Sequence, residues 1–375
     1  MNKYKFNQII KFLSNPTIFV FSVAWMIVLV VVGTIVQKDI GLYQAQEIYF
    51  SSWFAWIKFL PIPSGRLLML LVFINLSFYF FRPNIFRISK IGITITHFGA
   101  LLLLLGGGIT AYYSQEGRMA INEGDVSNYV EDYYNKELVI ANHANTDYDE
   151  YITFNEKVLY GNSKLSYSTI PFELEIIQFF RNCEPVRRTY LGDYSFHGLA
   201  KNFYLENLEP EKEYEKNISG VIINIKGEDV ESNGMYIVYQ GQPIQQSIIY
   251  NGNKFYIEMR NTRTYLPFEI ELIDFKKVLH PNTEIPKSFS SDINLIENGV
   301  PRHVLIKMNE PLRHGGYTFY QASFFEGELS DISVLAVVKN YGRLFPYISS
   351  IIMCLGILIH LLLKIPQLKR LLPRG

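Results

Sequence analysis

The chain has 375 residues, 49% of them hydrophobic and 15% aromatic, with 35 basic and 35 acidic side chains. The balance excludes a polybasic nucleic-acid binder, and two cysteines exclude a disulfide-stapled scaffold. The hydrophobic residues are segregated rather than mixed, which points to a membrane protein.

Lys3, Lys5 and Lys11 lead into "PTIFVFSVAWMIVLVVVGTIV" (16–36), a run long enough to cross about 30 Å of hydrocarbon as a helix. It is too long for a signal-peptide core and no small-x-small cleavage site follows, so it reads as a retained anchor. A loop, 37–64, separates it from a second, shorter run at 65–81, "GRLLMLLVFINLSFYFF", which contains Asn75. Arg82, Arg87 and Lys90 fill the link to a third run at 91–113, and a fourth, "LFPYISSIIMCLGILIHLLL" (344–363), precedes Lys364, Lys369, Arg370 and Arg374. If four helices alternate across the bilayer, all three basic clusters fall on one side. The positive-inside rule makes that side the cytoplasm. Both termini are then cytoplasmic, and 37–64 and 114–342 face outward from the cytoplasmic membrane.

Residues 115–340 carry 33 acidic against 21 basic side chains. A net charge of this sign argues against nucleic acid or an anionic lipid surface as the partner of that segment. It reads as strands: "KELVIAN", "VIINIKG", "GMYIVYQ", "KFYIEMR" and "HVLIKMN" are short, β-branched and aromatic, and bounded by Gly, Asn and Pro. "IPFELEIIQF" (170–179) returns as "LPFEIELIDF" 96 residues later. The echo predicts two related, sandwich-like β units in tandem. In "PLRHGGYTFYQASF" (311–324), Gly315-Gly316 predicts a tight hairpin. Arg313 and His314 stand at its tip, either as a solvated turn or in reach of a ligand. The fold class expected is therefore a polytopic α-helical membrane protein of four spans: three in 1–113, a mainly β domain over 114–342, and the last span with a tail in 343–375. Cys183 falls in the β domain and Cys354 in the last span, so neither an internal disulfide nor a CxxC redox or zinc motif is expected.

Five of the seven histidines, His143, His197, His280, His303 and His314, scatter through the outer segment without metal-ligand spacing. The other two lie in spans. His97 sits in "ITITHFGALLLLLGGGIT" (93–110) and His360 four residues before Lys364. Ionisable residues inside membranes are costly and are functional suspects by default. Paired imidazoles at similar depth are an arrangement that ligates haem iron between helices. Glycines 99, 106, 107 and 108 would admit a helix or a flat macrocycle, and Thr94 is placed to accept the second N–H of His97. The competing reading for each histidine is a hydrogen bond to a neighbouring helix.

"VGTIVQKDIGLYQAQEIYFSSWF", "THFGALLLLLGGGITAYYSQEGRMAINEGD", "PFEIELIDF" and "GGYTFYQASF", in that order, resemble the ResB (CcsB-like) family of cytochrome c biogenesis proteins. The resemblance covers nearly the full chain. It implies a role in holding haem b and delivering it across the membrane to apocytochrome c, with a CcsA/ResC-type partner and a thiol-reducing partner. The family's third-span histidine maps onto His97, which implies haem iron bound through His97. The tryptophan-rich WWD segment of the partner is absent, since Trp25, Trp53 and Trp56 do not form it. The chain is then the non-WWD half of a haem lyase, without catalytic residues of its own. The second axial ligand falls to His360 or to the partner. Two rivals stay open: a membrane b-type electron-transfer protein, and an anchored β domain for adhesion or sensing.

Overall fold

The computed structural model describes residues 3–142, 150–160, 163–189, 195–227, 233–327 and 330–371; His143 lies outside them. The chain divides into two compact units. One comprises Met1–Gln115, Gly315–Tyr317 and Val338–Gly375, the other Glu116–His314 and Thr318–Val337.

The first unit is helical. Helix α1 (Lys3–Leu13) stops at Ser14 because Asn15 is extended and accepts from Thr17 N as the N-cap of α2 (Pro16–Ile40), with proline at the first turn. Gly41, at φ 85°, ends α2 and turns the chain into α3 (Leu42–Gln46) and a π-helical turn, Glu47–Ser51. A hairpin, β1 (Phe54–Ile57) and β2 (Leu60–Pro63), precedes α4 (Gly65–Tyr79) and then α5 (Ile91–Tyr113). Among the described residues three stretches are long and apolar enough to cross a membrane: Asn7–Ile40, Ile88–Tyr113 and Phe345–Ile365. The second expected span is only the 15 residues of α4, about 22 Å of helix against the roughly 30 Å needed.

Both ends of α4 explain its length. At one end the chain leaves the helix so that Arg82 can donate to Ser14 Oγ (2.6 Å) and Ser14 O (2.5 Å). Asn75 adds bonds to Leu13 O (2.6 Å) and Asn15 O (2.9 Å), so the unpaired carbonyls of the α1–α2 break find donors. At the other end the expected loop 37–64 folds back along α2. A Cβ on Gly33 would meet the Phe50 ring at 2.9 Å, a Cβ on Gly65 would meet Phe50 Cα at 3.0 Å, and Trp25 Nε1 donates to Pro63 O (2.9 Å). Helix α4 therefore starts beside the middle of α2, not beside its end.

The second unit is built of strands β3 to β18, with one short helix, α6 (Glu156–Leu159). The strands are β3 (Gln115–Asn122), β4 (Val126–Asn142), β5 (Glu150–Asn155), β6 (Lys164–Leu165), β7 (Glu173–Phe180), β8 (Cys183–Arg187), β9 (Phe203–Asn207), β10 (Gly220–Lys226), β11 (Gly234–Tyr239) and β12 (Gln246–Tyr250), then β13 (Asn253–Leu279), β14 (Pro286–Glu297), β15 (Val300–Lys307), β16 (Leu312–His314), β17 (Tyr317–Phe325) and β18 (Ile332–Lys339). One sheet runs β11-β10-β7-β6. A larger one runs β15-β14-β13-β4-β3-β18-β17-β16, with β12 on β13 and β5 on β4, and β8 pairs with β9. The last helix, α7 (Phe345–Leu371), returns to the first unit.

Two long strands organise this unit. Residues 136–142 of β4 pair with 255–261 of β13, and after a bulge 126–131 pair with 263–271. Along the first run the small sheet packs over the large one, and Leu138, Ile140, Leu174, Ile176, Val221, Ile223 and Ile257 share one core. Along the second run the large sheet curls on itself. Ser291 of β14 bonds Gln321 of β17 (2.6 Å) and Ser333 of β18 (2.7 Å), although four and three strands respectively separate them in the sheet order. Phe275, Phe289 and Phe324 stack across the same curl, with centroids 5.0–6.3 Å apart.

The echoed segments fall in β7 and β13, and their matching positions are buried alike: Phe172, Leu174 and Ile176 against Phe268, Ile270 and Leu272. The expected tandem order does not describe the lobes, however. Because β4 and β13 pass through both, the sandwich is set into the curled sheet instead of preceding it. The GG hairpin forms as expected, with Gly315 at φ 57° and Gly316 at φ 82°, the left-handed pair that a two-residue turn requires.

At the junction of the two runs lies Lys136, 2% exposed, whose Nζ donates to Asn261 Oδ1 (2.7 Å). Gln240 donates to the same oxygen (2.8 Å). Burial, with Arg118 second, pulls the Lys136 pKa from 10.5 down to about 8. Between those values the unfolded chain holds a proton that the folded chain has released, so stability rises with pH across that window. Below about pH 8 the full penalty applies, on the order of 3 kcal/mol for a shift of this size. Lys136→Met is expected to stabilise the protein by about 1–3 kcal/mol at neutral pH and to flatten the rise between pH 8 and 10.5. Thermal unfolding of the detergent-solubilised chain across that range checks both.

Candidate functional site

Helix α5 is a two-faced element. Gly92, Gly99 and Gly106 recur every seventh residue and form the seam to α7. A Cβ would stand 2.4 Å from His360 N at Gly92, 2.6 Å from Met353 Cγ at Gly99, and 2.2 Å from Phe345 Cβ at Gly106. Such spacing lets two backbones touch, as small residues do in membrane helix pairs. Gly107 and Gly108 face open space, so only two of the four glycines singled out from the sequence serve the helix contact.

His97 lies away from that seam. At 100° per residue it sits about 140° around α5 from Gly92 and about 160° from Gly99. Its ring stacks on Tyr79, at the end of α4, with centroids 4.5 Å apart and planes within 16°. Nδ1 is 2.7 Å from Ile93 O. A carbonyl only accepts, so Nδ1 is the donor here, an arrangement that in a neutral imidazole leaves the lone pair on Nε2. The partner expected from the sequence was Thr94. Its hydroxyl instead donates to Ile85 O (2.7 Å) and Lys90 O (3.2 Å), tying the link before α5 to the helix. Intrahelical geometry favours the Ile93 carbonyl, one turn back on the same face.

His360 is placed differently. Its backbone presses on Gly92, and its Nδ1 is buried without a hydrogen-bond partner. Gly92 and His97 are five residues apart, about 7 Å along the axis, and they point to nearly opposite sides of α5. The backbone of His360 thus meets α5 about 140° around the helix from His97. His314, in the other unit, is neither a solvated turn residue nor grouped with another histidine. It packs edge-on against Phe268 (4.7 Å), with Nε2 3.4 Å from Glu297, while neighbouring Arg313 is exposed.

The remaining histidines have local roles. His197 stacks on Tyr236, His303 pairs with Asp292 on the surface, and His280 is exposed. Among the described residues no three His, Cys, Asp or Glu side chains gather as a metal site. Cys183 is buried beneath the small sheet, and burial pushes its thiol up to about 12, which removes it as a nucleophile at neutral pH. Tyr79 is the residue that sequence reasoning missed. Its signal was the aromatic run "FYFF" ending the second apolar stretch, which identifies no single ring as the partner of His97.

Residues 218–334 match the ResB-like family. The match takes in all of the echoed β13 and the GG hairpin. Protein NrfI of Wolinella succinogenes is 22% identical over 350 residues, covering 92% of this chain and 34% of that protein. The chain thus spans about a third of the length of this relative. The family match does not include α5, so His97 stands on the geometry of the chain's own spans.

The two faces of α5 should respond differently to bulk. Gly99→Leu is expected to cost about 1–3 kcal/mol or more by overpacking against α7. Gly108→Leu, on the open side, should leave stability nearly unchanged. Melting temperatures of the two variants in detergent check the contrast.

Proposed function

We propose that this chain is a membrane subunit of a cytochrome c synthesis system, holding haem b for covalent attachment to apocytochrome c. The observation that carries the reading is the 2.7 Å contact of His97 Nδ1 with Ile93 O inside an apolar span, which in a neutral imidazole leaves the Nε2 lone pair for a ligand. Haem iron takes the unprotonated nitrogen of a neutral imidazole, and a carbonyl bound to the opposite N–H fixes the ring and raises its basicity. Similarity to the ResB-like family supports the same role from the β unit.

Haem is cargo here. Attachment adds a cysteine S–H across each haem vinyl group, which forms a C–S and a C–H bond with no net redox change. The step needs reduced haem, reduced thiols and positioning. This chain would bind and orient. A CcsA/ResC-type chain with a WWD segment, and a thiol-reducing protein, would supply the rest. The backbone of His360 on α7 meets α5 at Gly92, on another side of the helix from His97, which favours a second axial ligand from the partner chain.

The orientation follows from the basic clusters. Lys3, Lys5 and Lys11, the link Arg82 to Lys90, and Lys364 lie on the cytoplasmic side of a four-pass arrangement in which α4 is the short crossing. Reporter domains fused after Ser114 and after Lys364 should report opposite sides of the membrane. The same side for both would exclude this topology.

His97→Ala is expected to lower bound haem by at least about tenfold and to stop cytochrome c assembly, with the chain still inserted. Added imidazole should partly restore assembly by entering the vacated space. His360→Ala should keep its haem. The readouts are the absorption spectrum of purified protein and the covalent haem content of cytochrome c in cells. A deletion strain with normal cytochrome c, and a purified protein that exchanges electrons with quinone, would instead favour a b-type electron carrier.

A further inference from the structure

All three tryptophans of the chain, Trp25, Trp53 and Trp56, gather at the β1–β2 hairpin. Its base is firmly held. Trp25 Nε1 donates to Pro63 O (2.9 Å), Ser64 N donates to Trp53 O (3.1 Å), and Ser64 Oγ donates to Tyr49 O (2.5 Å). The Arg66 guanidinium lies over both Trp53 (5.8 Å) and Tyr112 (5.2 Å).

The rest of the hairpin is bare. Ala55 is buried, but Phe54, Trp56, Ile57, Phe59 and Leu60 are 49–87% exposed. Strand side chains alternate between faces, so a hairpin standing in water is apolar on one face and polar on the other. Here the residues of both faces are apolar, and the tip is Lys58-Phe59 with Lys58 at φ 57°. Large bare apolar surface of this kind marks contact with an apolar phase or partner.

Depth selects between the two. Trp25 lies 11 residues before Val36, the end of the apolar run of α2, so the hairpin base is about 16 Å inside that end. Counted from α5 instead, Arg66 is level with Tyr112, next to the last residue of the helix. Either count places the base at or within the membrane interface, not above it. The charge pattern fits lipid as well. No acidic residue occurs from Ile48 to Gln115, while Lys58 and Arg66 are available to phosphate headgroups.

We propose that the β1–β2 hairpin is an interfacial anchor, lying in the leaflet beside the C-terminal half of α2 with Trp56 and Phe59 at the headgroup–acyl boundary. Tryptophan at that boundary is the usual membrane-interface anchor. The inference is independent of haem and of any partner chain.

The test uses the full chain reconstituted in phosphatidylcholine vesicles with brominated acyl chains. Trp25→Phe/Trp53→Phe leaves Trp56 as the sole emitter, and bromolipid should remove most of its emission while acrylamide removes little. Trp25→Phe deletes the bond to Pro63, so a second measurement leaves the base intact. Phe59→Cys with Cys354→Ser, carrying a nitroxide, should be relaxed more by oxygen than by a water-soluble nickel chelate. Acrylamide quenching without bromolipid quenching, or nickel exceeding oxygen at position 59, would overturn the proposal and leave a protein-docking surface in its place.

Discussion

The membrane unit depends on one close approach, that of α5 to α7 along Gly92, Gly99 and Gly106. A Cβ at any of the three would sit 2.2–2.6 Å from an α7 atom, so no other residue fits without separating the helices. With no hydrophobic drive between helices in lipid, contact of this closeness is what holds such a pair. Its second effect is orientation. Once the glycine face is committed to α7, the opposite face of α5 carries His97 to Tyr79 of α4, and its ring is steadied from one side by stacking. The tautomer then follows from the helix itself, through the Ile93 carbonyl.

The same rule, that every backbone group in an apolar medium needs a partner, accounts for the break between α1 and α2. Ending a helix in mid-chain exposes carbonyls at Leu13 and Ser14. Asn75 and Arg82 supply donors to them, and Ser14 Oγ adds a second bond to Ile10 O. The Asn75 that looked out of place in an apolar run is therefore structural. Its position was legible in the sequence, but its partners, some 60 residues earlier, were not.

Sequence patterning revealed what is local. Hydropathy found the three long spans, alternation found the strands, and the Gly-Gly pair found its turn, because each signal lies within a few residues. What it missed depends on pairing at a distance. The 15 residues of α4 read as a full span because "FF" continues the hydropathy after the helix has ended at Tyr79. Residues 41–64 read as a loop because nothing local states that Phe50 returns to Gly33. The echo at 170 and 266 was correctly read as two similarly buried strands, yet tandem order was an assumption about connectivity. The side of α5 that each span histidine would meet was not readable, because it depends on which glycines α7 occupies.

The nesting of one β lobe within the other has a consequence for biogenesis. Strand β3 is paired with β18, and the far run of β4 with β13, so partners lie roughly 130 to 220 residues apart in the chain. The sandwich lobe can close as soon as β13 has been made. The curled sheet cannot, since β3 waits with an open edge until β18, the last strand before α7, has been made. Contacts of such long range form slowly, and unpaired edges invite wrong partners meanwhile. The first strand of the second unit is thus among the last to be protected.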